Sequence, residues 1–174
     1  MQTWKEFDHN VITHSAAHHL MAVGDLIDKY GYARVSDIAR ELNITRGSVS
    51  ISLKPLKEAG LILQDENRHL RLSESGAKLV SAIKAKRSIM QRLFAEVLGV
   101  SGELAEVDAC KMEHLISNET AARMLSFLRF VGSDAVAARM FRQAWREFDP
   151  ECAPHDVSAC PSCTTNCLAE RVAP

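Results

Sequence analysis

Cys110, Glu113 and His114 place a thiol, a carboxylate and an imidazole within five residues, in the run Cys110-Lys-Met-Glu113-His114. On a helix, positions three and four apart share one face, so these side chains can converge on a single ion. A mixed sulfur, oxygen and nitrogen donor set suits a divalent transition metal. The same residues also describe something plainer, a small buried cysteine beside an exposed acid and imidazole. Near the N-terminus, His14, His18 and Met21 recur at spacings of four and three, with His19 beside them. A ligand from this group, His18 or Met21, would tie two distant stretches of chain together, whereas His14 and His19 read more simply as surface polar groups. A third group, Cys152, Cys160, Cys163 and Cys167, offers four soft ligands within 16 residues. That is enough for a zinc ion or an iron-sulfur cluster. Three of the four crowd together, which leans toward a cluster. His155 could replace one ligand, and a redox-active or unliganded tail stays open.

These residues need elements to hold them. Apolar positions at Ala16, Ala17, Leu20, Val23, Leu26 and Ile27 follow a helical period from His14 to Tyr30, ended by Gly31. Ser36 is a candidate N-cap for a short helix through Asn43, and Thr45 for another through Ala59, stopped by Gly60. Two short helices joined by a tight turn outline a helix-turn-helix. Residues 61–64 and 68–72 flank the polar turn Asp65-Glu66-Asn67 and predict a two-stranded wing. Ser73 opens a long helix to about Leu98, closed by Gly99, and further helices are expected over 102–117, 119–131 and 133–148. From Pro150 onward the prolines and cysteines show little periodicity, as in an irregular segment needing an external organiser. The fold class is therefore mainly α. The expected division is a winged helix-turn-helix over 10–75, a helical region over 76–149 and a Cys-rich tail over 150–174.

The second short helix is suited to a DNA groove. Thr45, Arg46, Gly47, Ser48, Ser50 and Lys54 are short hydrogen bonders, cations or open backbone, while Val49, Leu53 and Leu56 form an apolar stripe for the core. Short polar side chains allow close approach to phosphates and base edges. Ile51 faces the groove in this reading, Ser36 lies at the start of the preceding helix, and Arg68, His69 and Arg71 add cationic reach on the hairpin. Pro55 falls inside this helix and predicts a kink near Ile51. The net charge of -1 conceals a basic half, since residues 34 to 92 hold twelve Lys/Arg against six Asp/Glu. That half is the candidate polyanion-binding surface.

At 174 residues and 47% hydrophobic, the chain can build a real core. No apolar run approaches the roughly 20 residues that span a bilayer. The first residues lack a secretory layout, which predicts a cytoplasmic protein. In a reducing compartment, crowded cysteines read as metal or redox sites before disulfides. A Cys110–His114 nucleophile would make the chain an enzyme, but no glycine-rich substrate loop or oxyanion-hole signal accompanies the pair, and no catalytic residue is assigned.

Several stretches together resemble the diphtheria toxin repressor family of iron-dependent repressors and the related manganese transport regulators. They are Gly31-Tyr-Ala-Arg-Val-Ser-Asp-Ile-Ala39, Ser48-Val-Ser50 through Gly60-Leu61, Leu72-Ser-Glu-Ser-Gly76, and Asp108-Ala-Cys-Lys-Met-Glu-His-Leu-Ile-Ser117. The resemblance spans about residues 14 to 131. It implies a winged helix joined by a long helix to an all-helical dimerisation domain, and a homodimer that binds a palindromic DNA operator when metal is present. By resemblance the metal ligands fall on His18, with Met21 as the nearby substitute, and on Cys110, Glu113 and His114. The implied cofactor is Fe(II) or Mn(II), with iron favoured by the thiolate, and the implied role is a repressor of metal-uptake genes. The family's ancillary site takes a histidine from the long helix. Here that region reads Lys86-Arg87-Ser88, so one ion per subunit is expected there, although Glu106 matches another ancillary position. The alternative is a regulator that senses redox state or an iron-sulfur cluster through its tail cysteines.

Overall fold

The structure is a computed structural model and describes residues 12–148. Among them are seven α-helices and one antiparallel two-stranded sheet. They fall into two compact units that divide between Arg129 and Phe130.

In the first unit, α1 (His14–Tyr30) is the central element. Thr13 caps it by accepting from the Ala16 N–H, and Gly31 ends it at φ 78°, in the left-handed region that glycine adopts without strain. Ala17, Leu20, Met21, Ala22, Val23 and Leu26 are all buried, so α1 is wrapped on most of its circumference. Helix α2 (Val35–Glu41) and helix α3 (Arg46–Glu58) pack on it, joined by a tight turn in which Asn43 takes φ 53°. Asparagine is among the few non-glycine residues that tolerate this conformation. Val49, Leu53 and Leu56 of α3 complete the core with Ile38, as their spacing predicts.

The wing pairs β1 (Ile62–Gln64) with β2 (Leu70–Leu72), Ile62 opposite Leu72 and Gln64 opposite Leu70. A bridge from Ala33 to Leu70 adds a contact that the residue pattern did not announce, with the Leu70 N–H donating to the Ala33 carbonyl at 2.8 Å. Helix α4 (Glu74–Arg92) starts from Ser73, whose hydroxyl accepts from the Gly76 N–H at 3.0 Å. It continues into a π-helical turn (Leu93–Val97), and Gly99 at φ 72° closes the run.

Helix α5 (Gly102–Met112) packs along α4, and α6 (Asn118–Val131) follows a short turn. In the second unit, α7 (Val136–Glu147) holds Arg142, which donates to the Val131 carbonyl and, at 2.9 Å, to that of Ser133.

Local details depart from the sequence expectations. Helix α2 begins one residue before Ser36, so Ser36 is not its cap; the cap position is Arg34, whose side chain makes no capping bond. Pro55 falls inside helix α3, which spans Arg46 to Glu58, with its ring exposed. The helix expected over 102–117 stops at Met112, because Ser117 caps the next one by accepting from the Thr120 N–H at 3.0 Å. The chain must turn in between. Leu128 of α6 is buried, at 3% exposure.

Gly76 fixes the joint between wing and long helix. A Cβ there would lie 2.2 Å from the Leu61 backbone oxygen. Backbone cannot yield as a side chain tip does, so Gly76→Ala should cost about 1–3 kcal/mol. A denaturant midpoint equal to that of the unsubstituted chain would show that the joint relaxes freely.

Candidate metal centre and nucleic-acid interface

The first helix and the end of α5 meet at a cluster of donors. His18 Nε2 lies 3.3 Å from Cys110 Sγ, across 92 residues of sequence. One ligand atom each from His14, His18 and Cys110 lie within 4.8 Å of one another. The His14 ring is 4.5 Å from that of His18 and 4.9 Å from that of His114, centroid to centroid. His114 Nδ1 is buried with no hydrogen-bond partner. Three imidazoles and a thiol crowded together, one with an orphaned nitrogen, form a donor set that fits a transition metal ion.

His114 is not on the α5 helix proper. Glu113 still donates its N–H to the Ala109 carbonyl at 2.9 Å, but His114 lies in the turn that follows, beside His14. Burial first, and then the neighbouring His14, hold the His18 and His114 imidazoles below the usual histidine value of 6.5. Neutral imidazole is the form that binds metals.

Glu113 behaves unlike a free ligand. Its side chain is fully buried and gripped by Arg87 of α4, with Nε to Oε2 at 2.5 Å and Nη2 to Oε1 at 3.2 Å. The same Nη2 donates to Cys110 Sγ at 3.3 Å. Burial works against the Arg87 charge, but the hydrogen bonds and negative charge of Glu113 outweigh it and push the guanidinium higher. The residue pattern marks that stretch of α4 only by its missing imidazole and does not show the role of Arg87. A fully buried carboxylate needs a countercharge, and the signal that points to it is the run of basic residues Lys84, Lys86 and Arg87 on α4.

The other residues singled out on α1 differ in burial. Met21 is 5% exposed and belongs to the apolar core of the first unit. His19, expected on the surface, is 5% exposed; its Nδ1 pairs with the Ser15 carbonyl at 2.7 Å and its Nε2 has no partner. The α1 wrapping turns that side inward. His14, assigned to the surface, is exposed yet stands among the donors. Glu106 is exposed. Lys86 is spent on the Ile116 carbonyl at 2.8 Å. Cys152, Cys160, Cys163 and Cys167 lie outside the described residues.

The outer side of α3 is open. Thr45, Arg46, Gly47, Ser48, Ser50, Ile51 and Lys54 are all exposed, Ile51 at 75%. An isoleucine left so bare on a helix of polar neighbours is unspent apolar surface. The hydroxyls also serve locally: Thr45 Oγ1 accepts from the Ser48 N–H at 3.1 Å, and the Ser50 hydroxyl donates to the Arg46 carbonyl at 2.9 Å. Ser36 is half-buried, and its hydroxyl turns to Asp37 at 3.5 Å. Lys54 meets Glu58 at 3.9 Å in an exposed pair of little energetic weight. Arg68 is exposed at the wing turn with φ 62°, and Arg34, which the pattern did not single out, donates to His69 Nε2 at 2.9 Å at the wing base.

An exposed recognition helix with a wing, seated on a helix that also carries transition-metal donors, defines a DNA-binding regulator of the metal-responsive class. Residues 73–140 match the metal-binding and dimerisation domain of iron-dependent repressors, and residues 26–63 match the arsR family of bacterial regulatory proteins. The transcriptional regulator MntR of Salmonella typhimurium is 36% identical over 113 residues, which cover 65% of this chain and 71% of that protein. The chain belongs to the DtxR/MntR family of metal-dependent transcriptional repressors. The iron-dependent repressor IdeR of Mycobacterium tuberculosis is 31% identical over 91 residues, covering 52% of this chain but 40% of IdeR. The crystal structure of T. acidophilum IdeR superposes with a TM-score of 0.54 at 25% identity, over 64% of this chain and 52% of that one. The manganese regulator SloR shares the fold, with a TM-score of 0.59 at 21% identity over 66% of this chain and 53% of its own.

Removing Arg87 alone strands a buried carboxylate. Arg87→Met should therefore destabilise the chain by about 3 kcal/mol, and adding Glu113→Gln should restore most of that loss. Equal stability of the single variant and the parent in urea would show that the pair carries no structural weight. Acid should act through the imidazoles. Because His18 and His114 are held below 6.5 in the folded chain, the unfolded chain binds more protons as pH falls through that value, and stability drops. Urea midpoints at about pH 7.5 and 5.5 should differ less for a His18→Ala, His114→Ala double variant than for the parent.

Proposed function

We propose that the chain is a cytoplasmic, homodimeric repressor that binds a palindromic DNA operator in response to iron(II), and that it controls metal-uptake genes. The observation that carries this reading is the 3.3 Å approach of His18 on α1 to Cys110 on α5. These two side chains are the natural core of the ion's site, with His14, His114 and Glu113 at hand. When bound, the ion supplies a cross-link between α1 and the end of α5, and thiolate softness favours iron over manganese.

The chain's own residues then transmit that constraint. Helix α1 packs directly against α3 and β2, so holding α1 against α5 holds both DNA-facing elements relative to the helical region. A donor set that closes better in the DNA-competent arrangement makes metal and operator mutually reinforcing, as linkage requires. Apolar residues left bare on α5 and just after it, Leu104 at 51%, Val107 at 49% and Leu115 at 43%, support burial against a second subunit. The proposed division is DNA binding over 10–75, metal binding and dimerisation over 76–149, and the Cys-rich tail over 150–174. In that tail, Cys152, Cys160, Cys163 and Cys167 supply ligands for a second metal ion or an iron-sulfur cluster. Metal and sulfide analysis after anaerobic purification tests this, and protein without sulfide or a second metal would dismiss it.

Operator binding titrated with iron(II) under anaerobic conditions, at fixed salt, tests the switch. His18→Ala, Cys110→Ser and His114→Ala should each remain folded and lose metal stimulation; any of them responding at the parent's metal concentration would sink the site. On the DNA side, Arg46→Ala or Lys54→Ala should weaken binding to every sequence alike and lower the salt slope by about one. Ile51→Ala should instead change the preference among operators, and an unchanged ranking across scrambled sites would mean that α3 presents another face to the groove.

A further inference from the structure

Both oxygens of the buried Glu113 carboxylate are taken by one guanidinium, which also donates to Cys110 Sγ. For Glu113 to ligate an ion, it would have to leave Arg87 unpaired beside a dication, or bring that dication against a fixed positive charge. Either arrangement is opposed by charge repulsion in a poorly solvated place. The guanidinium's hydrogen bonds go to Glu113 and Cys110 and leave the imidazole nitrogens available. His14 and His18 bring one ligand atom each to within 4.8 Å of Cys110 Sγ, and His114 stands beside His14 with Nδ1 unpartnered.

We propose that Arg87 is a built-in cation that keeps Glu113 out of the ion's ligand set. The ion is then taken by His14, His18, Cys110 and His114, a nitrogen–sulfur set that selects a divalent cation of borderline softness, such as iron(II), cobalt(II) or zinc(II), over manganese(II). The inference rests on the metal-responsive reading above and specifies its ligands. Glu113 and Arg87 then form an internally neutral pair behind the site. Loss of the carboxylate as a ligand removes the oxygen donor that manganese prefers, and three imidazoles with one thiolate replace it.

The probe is cobalt(II), titrated anaerobically into the full-length chain in which Cys152, Cys160, Cys163 and Cys167 are serine, so that Cys110 is the sole thiol. A thiolate-to-cobalt charge-transfer band then reports Cys110, and the intensity of the visible bands reports coordination number. His14→Ala should weaken cobalt binding by about tenfold or more. The neutralised pair, Arg87→Met with Glu113→Gln, should keep both the band and the affinity; circular dichroism confirms that it is folded. Manganese should compete with cobalt only at large excess. The inference is overturned if His14→Ala binds like the parent, if the neutralised pair loses the ion, or if manganese competes evenly. A band that vanishes with the neutralised pair but not with His14→Ala leaves the metal-responsive reading standing and removes only this ligand set. Cobalt binding that is indifferent to Cys110→Ser would instead remove both.

Discussion

The fold depends on one constraint, the burial of α1 through its middle, from Ala17 to Leu26. A helix with apolar residues at Leu20, Val23 and Leu26 needs partners on several sides, and it finds them in α3, β2 and α4. Elements far apart in sequence therefore share one support. The reading helix, the wing and the long helix are positioned by the same set of side chains, which is why donors near the start of α1 can influence a surface elsewhere. Burial of this kind is non-directional in its energetics but specific in its packing, since a displaced α1 would open voids against three neighbours at once.

Where the apolar stripe of α1 gives way to histidines, the physics changes from packing to charge. Glu113 has no exposed surface, and its carboxylate is held by the Arg87 guanidinium. Buried pairs of this type add little net stability compared with an apolar substitute, yet they resist rearrangement because each partner alone is costly. Their benefit is geometric. Arg87 links α4 to the end of α5, next to the sulfur that meets His18, so three helices are registered at one point.

Periodicity and capping made most of the fold legible. Thr13, Thr45 and Ser73 each cap a helix, and Gly31, Gly60 and Gly99 each take positive φ at a helix end. Thr45 and Ser73, with all three glycines, were readable as punctuation in advance. The early end of α5 was not, because the turn at residues 113–115 contains no glycine or proline, and what stops the helix is the Ser117 cap of its successor. In the site, His18 and Cys110 could be paired from the family resemblance, but their neighbours could not. His14 looks like any exposed histidine until folding sets it between His18 and His114, and His19 looks the same but is buried. About 140 degrees of helical rotation separates those two fates, and sequence alone does not fix the phase when the helix is wrapped on most sides. Arg87 was hidden for a different reason: its meaning comes from a partner 26 residues away.

The contact at Gly76 has a mechanical consequence. With the Leu61 carbonyl so near the α carbon of Gly76 that no side chain fits between them, the base of the wing and the first turn of α4 have no slack. They move as one lever. Arg87 sits eleven residues further along that helix, about 16 Å away at the rise of an α-helix. A tilt of the long helix by a few degrees at the Arg87 end is therefore delivered to the wing undiminished in angle, with the joint acting as a weld and not as a hinge.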